Sequence, residues 1–210
     1  MDVAQTRQWL IQVSRAMIGE EERLTRADQA IGDGDHGIGM SRGFQSVCRQ
    51  LEQAEFQALD GLFGAVGRAM LMSVGGAAGA IFGTLFIGGA RKLAGQVAFD
   101  ARALADLLEG GLQAVQARGK AQVGDKTVVD VLKPAADAAR SAQADDLDQA
   151  LVAVITAANE GLESTKLLQA RIGKARSLGE RAVGFVDPGA LSLALILEHM
   201  GRLLPGIACP

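Results

Sequence analysis

Tyrosine is absent from this 210-residue chain, and tryptophan occurs once, at position 9. Aromatic residues make up only 4% of the sequence. β-Sandwiches and barrels fill their pleated faces with aromatic and β-branched side chains. The composition therefore disfavours an all-β fold and favours helices packed through small residues. A hydrophobic fraction of 49% excludes a disordered chain.

Cysteine and clustered basic residues are also scarce. Cys48 and Cys209 form neither a disulfide framework nor a zinc-type pair, and the N-terminus lacks a signal-peptide pattern, so we expect a cytoplasmic protein. The net charge is −3 without a basic tract, which disfavours nucleic-acid binding. The longest uncharged run, near residues 73–90, is interrupted by glycine and fits a buried helix better than a membrane span.

A hydrophobic period of 3.6 residues runs through most of the chain and predicts eight amphipathic helices without a convincing strand. Asp100, and Asp187 followed by Pro188, are helix-start signals. We predict an all-α fold, an antiparallel eight-helix bundle in one domain spanning residues 1–210. The predicted helices cover residues 3–27, 39–52, 56–72, 78–94, 100–118, 127–143, 147–167 and 188–203.

Glycine is abundant, with 27 residues, and it concentrates in four joints between the predicted helices. In an antiparallel bundle every second joint lies at the same end, and these four joints alternate along the chain. We therefore predict that they meet, where glycine lets backbone N–H groups approach a ligand. For any single joint, an ordinary glycine C-cap remains the alternative. The joints are IGDGDHGIG at 31–39, SVGGAAG at 73–79, GKAQVGDKT at 119–127 and GKARSLGERAVGFVDPG at 173–189.

Three aspartates lie at the first joint: Asp28 just before it, and Asp33 and Asp35 within it. Carboxylates this close repel one another unless a cation holds them or the loop is solvated, and hard oxygen ligands select Mg²⁺ or Ca²⁺. An EF-hand is excluded because Phe44 stands where its bidentate glutamate belongs. A GxGxxG match at this joint follows no strand and carries aspartates that would repel bare pyrophosphate, so a dinucleotide-binding fold is rejected.

The other joints carry features suited to anions. Ser73–Gly79 leads into a predicted helix, whose N-terminus attracts phosphate through its N–H groups. His36 stands beside the acidic pair, where it can bond a phosphate or serve a structural role. GDKT at 124–127 lacks the glycine that a Walker A loop needs before its lysine, so the predicted phosphate site is of another type. Basic residues crowd the last joint: Arg171, Lys174, Arg176 and Arg181.

The strings IGDGDHGIGM, SVGGAAGAIFGTLF, RGKAQVGDKTVVDV and GERAVGFVDPGA, in this order and spacing, resemble the L subunit of dihydroxyacetone kinase. The resemblance covers nearly the whole chain. It extends to the C-terminal domain of single-chain, ATP-dependent dihydroxyacetone kinases and, more distantly, to the N-terminal domain of fatty-acid kinases. It implies an eight-helix antiparallel barrel with ADP or ATP and magnesium in the loops at one end.

The resemblance also implies a set of binding residues. Asp28, Asp33 and Asp35 would bind two Mg²⁺ ions that bridge to the phosphates. The nucleotide would be surrounded by His36, Gly37, Ile38, Gly39, Ala77, Ala78, Gly119, Val128, Lys174, Asp187, Pro188 and Gly189. Four positions depart from the family pattern: Gly39 replaces an expected Asn, Ala78 a Ser, Val128 a Met and Lys174 an Arg. Lysine in place of arginine loses bidentate phosphate geometry.

By this resemblance the chain is a phosphotransferase subunit that carries the nucleotide. Its partners would be a K subunit, which binds dihydroxyacetone, and a phosphohistidine-carrier subunit, which rephosphorylates bound ADP. We find no convincing general base or nucleophile, and expect the chain alone to be inactive. Two alternatives stay open. One is a nucleotide-dependent module that binds a transcriptional regulator, and the other is the nucleotide domain of an ATP-dependent kinase for another small ketose or an acyl substrate.

Overall fold

The computed structural model describes residues 1–205, which form nine α-helices and two stretches of 3₁₀ helix, Thr165–Leu167 and Lys174–Ala182. Within these residues the only strand-like feature is a single bridge between Asp2 and Ala98. The all-α prediction is confirmed, while Cys209 lies outside the described residues. The helices are α1 (Val3–Ile18), α2 (Glu21–Ile31), α3 (His36–Gln53), α4 (Leu59–Ser73), α5 (Gly76–Lys92), α6 (Ala101–Gly119), α7 (Val129–Ser141), α8 (Leu147–Ser164) and α9 (Pro188–Arg202).

The first predicted helix, 3–27, is wrong as a single element, because the chain bends between α1 and α2. Gly19 and Glu20 donate their N–H groups to carbonyls three residues back, at Ala16 and Met17, which ends the α-helical ladder. A new ladder starts when Leu24 donates to Glu20. The acidic run that follows Gly19 suits a new helix N-terminus, so the break had a signal in the sequence.

Two other helix starts and one joint differ from the prediction in ways that matter for the cleft. Helix α3 begins at His36, three residues before its predicted start, because the Asp28 carboxylate accepts a hydrogen bond from the His36 N–H (3.2 Å). Helix α7 begins at Val129, two residues after its predicted start. The predicted joint at 173–189 contains 3₁₀ turns over Lys174–Ala182.

The two predicted start signals are confirmed. Asp100 accepts a hydrogen bond from the N–H of Ala103 (2.8 Å), and Asp187 accepts one from the N–H of Ala190 (2.8 Å). Both bonds satisfy donors that the first turn of a helix leaves without an intrahelical partner.

The helices contact their chain neighbours from α3 to α9, and α1 contacts both α3 and α9, so the contacts trace a closed ring. Helix α2 packs on α3 and α9. Trp9 closes the ring through its indole N–H, which donates to the Met200 carbonyl of α9 (3.1 Å). Its ring also lies 5.5 Å from that of Phe99, centroid to centroid. None of the helices in residues 1–205 is both long and apolar enough to cross a membrane.

Glycine allows α4, α5 and α6 to pack closely. A Cβ atom added at Gly88 of α5 would lie 2.3 Å from the Cβ of Ala114 and 2.8 Å from the Gly110 carbonyl on α6. The helix backbones therefore approach more closely than any larger residue permits. This explains part of the glycine content without reference to a ligand.

We expect Gly88→Ala to lower the free energy of unfolding by about 1–3 kcal/mol, since the added methyl group overpacks a helix interface. Gly61→Ala is the matched control, because Gly61 is exposed on α4 and an added Cβ would make only an ordinary contact, 3.7 Å from Phe56. There alanine should be neutral or stabilising by up to about 1 kcal/mol. Urea denaturation of both variants measures the difference, and equal stabilities would contradict the close-packing account.

Candidate functional site

The four glycine-rich joints meet around one cleft of about 600 Å³. Its walls come from the segments that follow α2, α4, α6 and α8, as the alternation of joints predicts. Helices α3, α5, α7 and α9 each begin beside this cleft, with His36, Gly76, Val129 and Pro188 in its lining. Such a volume lies within the usual range for small-molecule clefts, about 300–1,000 Å³.

The three predicted aspartates lie together on one side of the cleft. Each offers a carboxylate oxygen within 4.8 Å of the other two. Asp28, on the last turn of α2, is buried, whereas Asp33 and Asp35 in the following loop are exposed. The cluster therefore combines one fixed carboxylate with two that are open to solvent.

Lys174 is the cation nearest to this cluster among the described contacts. Its Nζ lies 2.5 Å from Asp33 Oδ2 and 3.3 Å from Asp35 Oδ1. The hydrogen bond from Lys174 holds the pKa of the Asp33 carboxyl below its usual range. An anionic set of hard oxygen donors is the chemistry that Mg²⁺ prefers, so these residues fit that ion.

The N-terminus of α5 offers backbone donors to the cleft. Gly75 and Gly76 both have positive φ, 84° and 56°, which glycine adopts without strain. The first hydrogen bond within this helix runs from the Gly79 N–H to the Gly75 carbonyl. No side chain caps the helix start. The N–H groups of residues 76–78 therefore have no partner within the helix and can bind an anion.

Arg42 of α3, which no sequence pattern predicted, holds this turn in place. Its guanidinium donates to the carbonyls of Ser73 (2.5 Å) and Val74 (2.6 Å) at the end of α4. Gly39 allows the same approach, since a Cβ there would lie 3.0 Å from the Val74 carbonyl. No local pattern predicts this contact, because it depends on how α3 packs against α4.

His36 connects two helix starts. Its Nε2 lies 2.7 Å from the hydroxyl of Ser192, a fully buried residue of α9. Burial lowers the pKa of His36, which favours the neutral ring. The structural role that the sequence left open is therefore present, on a ring that also lines the cleft. Ser192 was missed, although a lone serine within an apolar helix is a visible signal.

A buried charged network underlies the loop between α6 and α7. Lys126, only 1% exposed, donates to the carbonyls of Thr165 and Phe185. Asp130, 2% exposed, accepts from the N–H groups of Gly124 (2.6 Å) and Thr127 (2.7 Å). The role of Lys126 was not predicted, because the spacing of GDKT does not show that this lysine is buried.

Most of the predicted binding residues line the cleft. Gly37 does not, because it packs α3 on α2, where an added Cβ would lie 2.2 Å from the Glu21 carbonyl. Asp33 reaches the site through the carboxylate cluster. Those found in the lining are Asp28, Asp35, His36, Ile38, Gly39, Ala77, Ala78, Gly119, Val128, Lys174, Asp187, Pro188 and Gly189.

Comparisons with known proteins find one matching domain family and several similar kinases. The DAK2 domain family model matches residues 30–202. The PEP-dependent dihydroxyacetone kinase 1, ADP-binding subunit DhaL, of Listeria innocua is 36% identical over 91% of this chain and 92% of its own length. The L-erythrulose 1-kinase of Mycolicibacterium smegmatis is 37% identical over 88% of this chain and 33% of its own length.

A solved structure shows the same fold. The dihydroxyacetone kinase from C. freundii, crystallised with AMP-PNP and Mg²⁺, superposes with a TM-score of 0.76 at 26% identity. The match covers 96% of this chain and 34% of that one.

Asp187 generates a pH-dependent stability prediction. Burial raises its pKa from 3.8 to about 6. A carboxyl with a raised folded-state pKa contributes stability that is complete below pH 4 and is lost as the pH rises through 6. Asp187 is partly exposed, so solvent screening reduces the effect. Between pH 4.5 and 7.5 the free energy of unfolding of wild type should fall by about 1–2 kcal/mol relative to that of Asp187→Asn.

Asparagine is a suitable comparison because it keeps the N-cap hydrogen bond and does not titrate. Denaturation at both pH values, for both proteins, measures this difference. Parallel pH dependence in wild type and variant would show that Asp187 does not titrate in this range.

Proposed function

The chain belongs to the DAK2 domain family, and we propose that it is the subunit of a dihydroxyacetone kinase that carries the nucleotide and magnesium. One observation carries the proposal: a nucleotide-sized cleft joins an acidic cluster to the starts of four helices. The relative from Listeria innocua is named for ADP binding, and the C. freundii kinase was crystallised with AMP-PNP and Mg²⁺. The reaction class is therefore phosphoryl transfer, and we assign residues 1–210 to one nucleotide-binding domain.

We assign the phosphates to the end of the cleft formed by α3 and α5. Backbone N–H groups of residues 76–78, the start of α3 at His36 to Gly39, and the Lys174 ammonium surround this end. Asp28, Asp33 and Asp35 would hold two Mg²⁺ ions. When bound, Mg²⁺ neutralises charge on the transferred phosphoryl group and orients it.

The other end of the cleft suits the base and ribose. Gly119, Val128 and the Asp187–Gly189 turn form its walls, with apolar neighbours such as Ile81 and Val115. Val128 is 6% exposed and closes this wall with a smaller side chain than the methionine of the family pattern. The departures from the family pattern at Val128 and Lys174 leave the arrangement of the cleft intact and affect how tightly it binds the nucleotide.

Among the described cleft residues we identify no side chain placed as a general base for a sugar hydroxyl. His36 is occupied by Ser192, and Asp187 caps α9. The chain therefore contributes electrostatic stabilisation of the phosphoryl group, and the acceptor belongs on a partner. We propose a K subunit that carries dihydroxyacetone and a phosphohistidine carrier that recharges bound ADP. Binding of a transcriptional regulator stays a prediction.

Exposed apolar side chains lie on the segments that form the cleft, and we propose that a partner docks on them. Met72 at the end of α4 is 83% exposed. Exposed apolar side chains that cluster beside a site mark interaction surfaces. We call these residues the rim: Ile38 and Ile172, which also line the cleft, and Met72, Val123, Val183 and Phe185, all of which are exposed.

A second candidate substrate is erythrulose, favoured by the 37% identity to the L-erythrulose 1-kinase. We assign the cleft residues to the nucleotide and none of them to the sugar. The ketose is therefore selected by whichever partner presents it, and assays with both sugars separate the two possibilities.

The metal assignment predicts that ADP binding requires a divalent cation. Asp35→Asn removes one negative charge and one strong oxygen ligand, and should weaken Mg²⁺-dependent ADP binding at least about tenfold, which corresponds to about 1.4 kcal/mol. Asp145→Asn, in the exposed α7–α8 loop, is the control and should bind as wild type does. Calorimetry measures both. Equal affinity with and without EDTA would reject the magnesium site.

The partner assignment predicts that the isolated chain does not phosphorylate dihydroxyacetone from ATP, and that a K-type subunit restores turnover. Met72→Glu places a charge in the rim and should reduce coupled turnover at least about tenfold, since a buried unpaired charge weakens an interface. Its ADP affinity should stay unchanged. Val152→Glu, on an α8 residue that is 66% exposed, is the control. Robust kinase activity from the isolated chain would overturn the subunit assignment.

A further inference from the structure

We propose that Lys126 is a positioning residue, whose buried ammonium fastens the long segment 165–187 to the α6–α7 loop and thereby slows release of the nucleotide. The inference rests on the proposed function, because it concerns the same cleft. Lys126 is part of the cleft lining, but its ammonium donates to the carbonyls of Thr165 and Phe185, so we assign it a positioning role and no role in the chemistry itself.

Lys126 occupies a position that is energetically unfavourable for a lysine. Its side chain is 1% exposed, and its backbone adopts a left-handed φ of 59°, which lysine rarely does. Burial lowers its pKa, while the charges of Asp187 and Asp130 oppose that shift. A buried lysine in a disfavoured backbone conformation is an arrangement that only specific contacts can maintain.

The Lys126 ammonium joins the two ends of a long loop. Its two acceptors are the carbonyls of Thr165 and Phe185, which stand at opposite ends of a segment of about twenty residues. The Thr165 hydroxyl accepts from the Asp187 N–H (3.1 Å), and Gly184 donates to the Lys166 carbonyl (2.7 Å). One buried amine thus closes the base of a long loop, and that loop carries Lys174.

Hydrogen bonds hold the α6–α7 loop in place around Lys126. Asp130 binds the N–H groups of Gly124 and Thr127 on either side of Lys126. The Arg171 N–H donates to the Asp125 carbonyl (3.2 Å), a second link between the same two segments. Loss of the ammonium would leave buried carbonyls and carboxylates without their cation, and would free the segment from its anchor.

Loss of Lys126 should affect one part of the cleft more than the other. The walls assigned to the base, Val128 and Asp187–Gly189, come directly after the two joined segments in the chain. The carboxylates of Asp28, Asp33 and Asp35 are built on α2 and the start of α3, which hold one another through Asp28 and His36. Lys126 therefore affects retention of the whole nucleotide more than affinity for a metal ion, and differences in retention appear mainly in the dissociation rate.

The experiment compares Lys126→Met with Lys120→Met in the full chain. Lys120 is exposed, lies in the same loop and has a similar φ of 55°, so it controls for the residue type and backbone strain. Stopped-flow displacement of fluorescent ADP gives the release rate in Mg²⁺ buffer. Mn²⁺ titration followed by electron paramagnetic resonance, without nucleotide, gives the affinity of the carboxylates.

We expect Lys126→Met to release ADP at least about tenfold faster, while Lys120→Met matches wild type. The Mn²⁺ affinity of Lys126→Met should equal or exceed that of wild type, because Lys174 on the freed loop no longer competes with the ion for Asp33 and Asp35. A general loss of structure would lower the Mn²⁺ affinity, and that result, or an unchanged release rate, overturns the inference. If Lys126→Met does not fold, Thr165→Val decides. It removes the hydroxyl that accepts from Asp187, keeps the charge, and should speed release about threefold or more.

An unchanged release rate in Thr165→Val would then overturn the inference. Failure of wild type to bind ADP with Mg²⁺ would instead reject the proposed function, so the two failures are distinguishable.

Discussion

The direction of the helices is the constraint on which the rest of this structure depends. Helices α3, α5, α7 and α9 all start at the same end of the ring, each after a glycine-rich joint or a turn. Each helix start carries partial positive charge and N–H groups that lack intrahelical partners. Four such ends around one cleft make a field that attracts a polyphosphate, and most of the other site features balance or refine this field.

The acidic cluster is understandable only within that field. Three carboxylates whose oxygens come within 4.8 Å of one another would be costly on a neutral surface. Here the start of α3 donates its first N–H to Asp28, and the Lys174 ammonium binds the other two aspartates. A divalent cation bound as we propose would extend the same balance, because it would neutralise both the carboxylates and a phosphate. In that proposal the cation and the nucleotide belong to one electrostatic arrangement.

Several elements were predictable because their causes are local. The caps at Asp100 and Asp187 depend on residues three positions apart, and the glycine-rich joints follow from the helical period and the alternation of directions. The break at Gly19–Glu20 was missed, although the glycine and the acidic run beside it were visible. The early start of α3 was missed because it depends on a carboxylate eight residues away, at Asp28.

The sequence by itself determined that the chain is helical, that four glycine-rich segments share one end, and that three aspartates stand among them. These properties follow from hydrophobic period, backbone preferences and chain direction, which act over a few residues. Only the tertiary structure decided the roles of Arg42, Lys126 and Ser192. Arg42 acts across 31 and 32 residues, Lys126 across 39 and 59, and Ser192 across 156. Whether such a polar side chain is buried, and which carbonyl it meets, depends on the packing of helices far apart in the chain, and no local pattern encodes that.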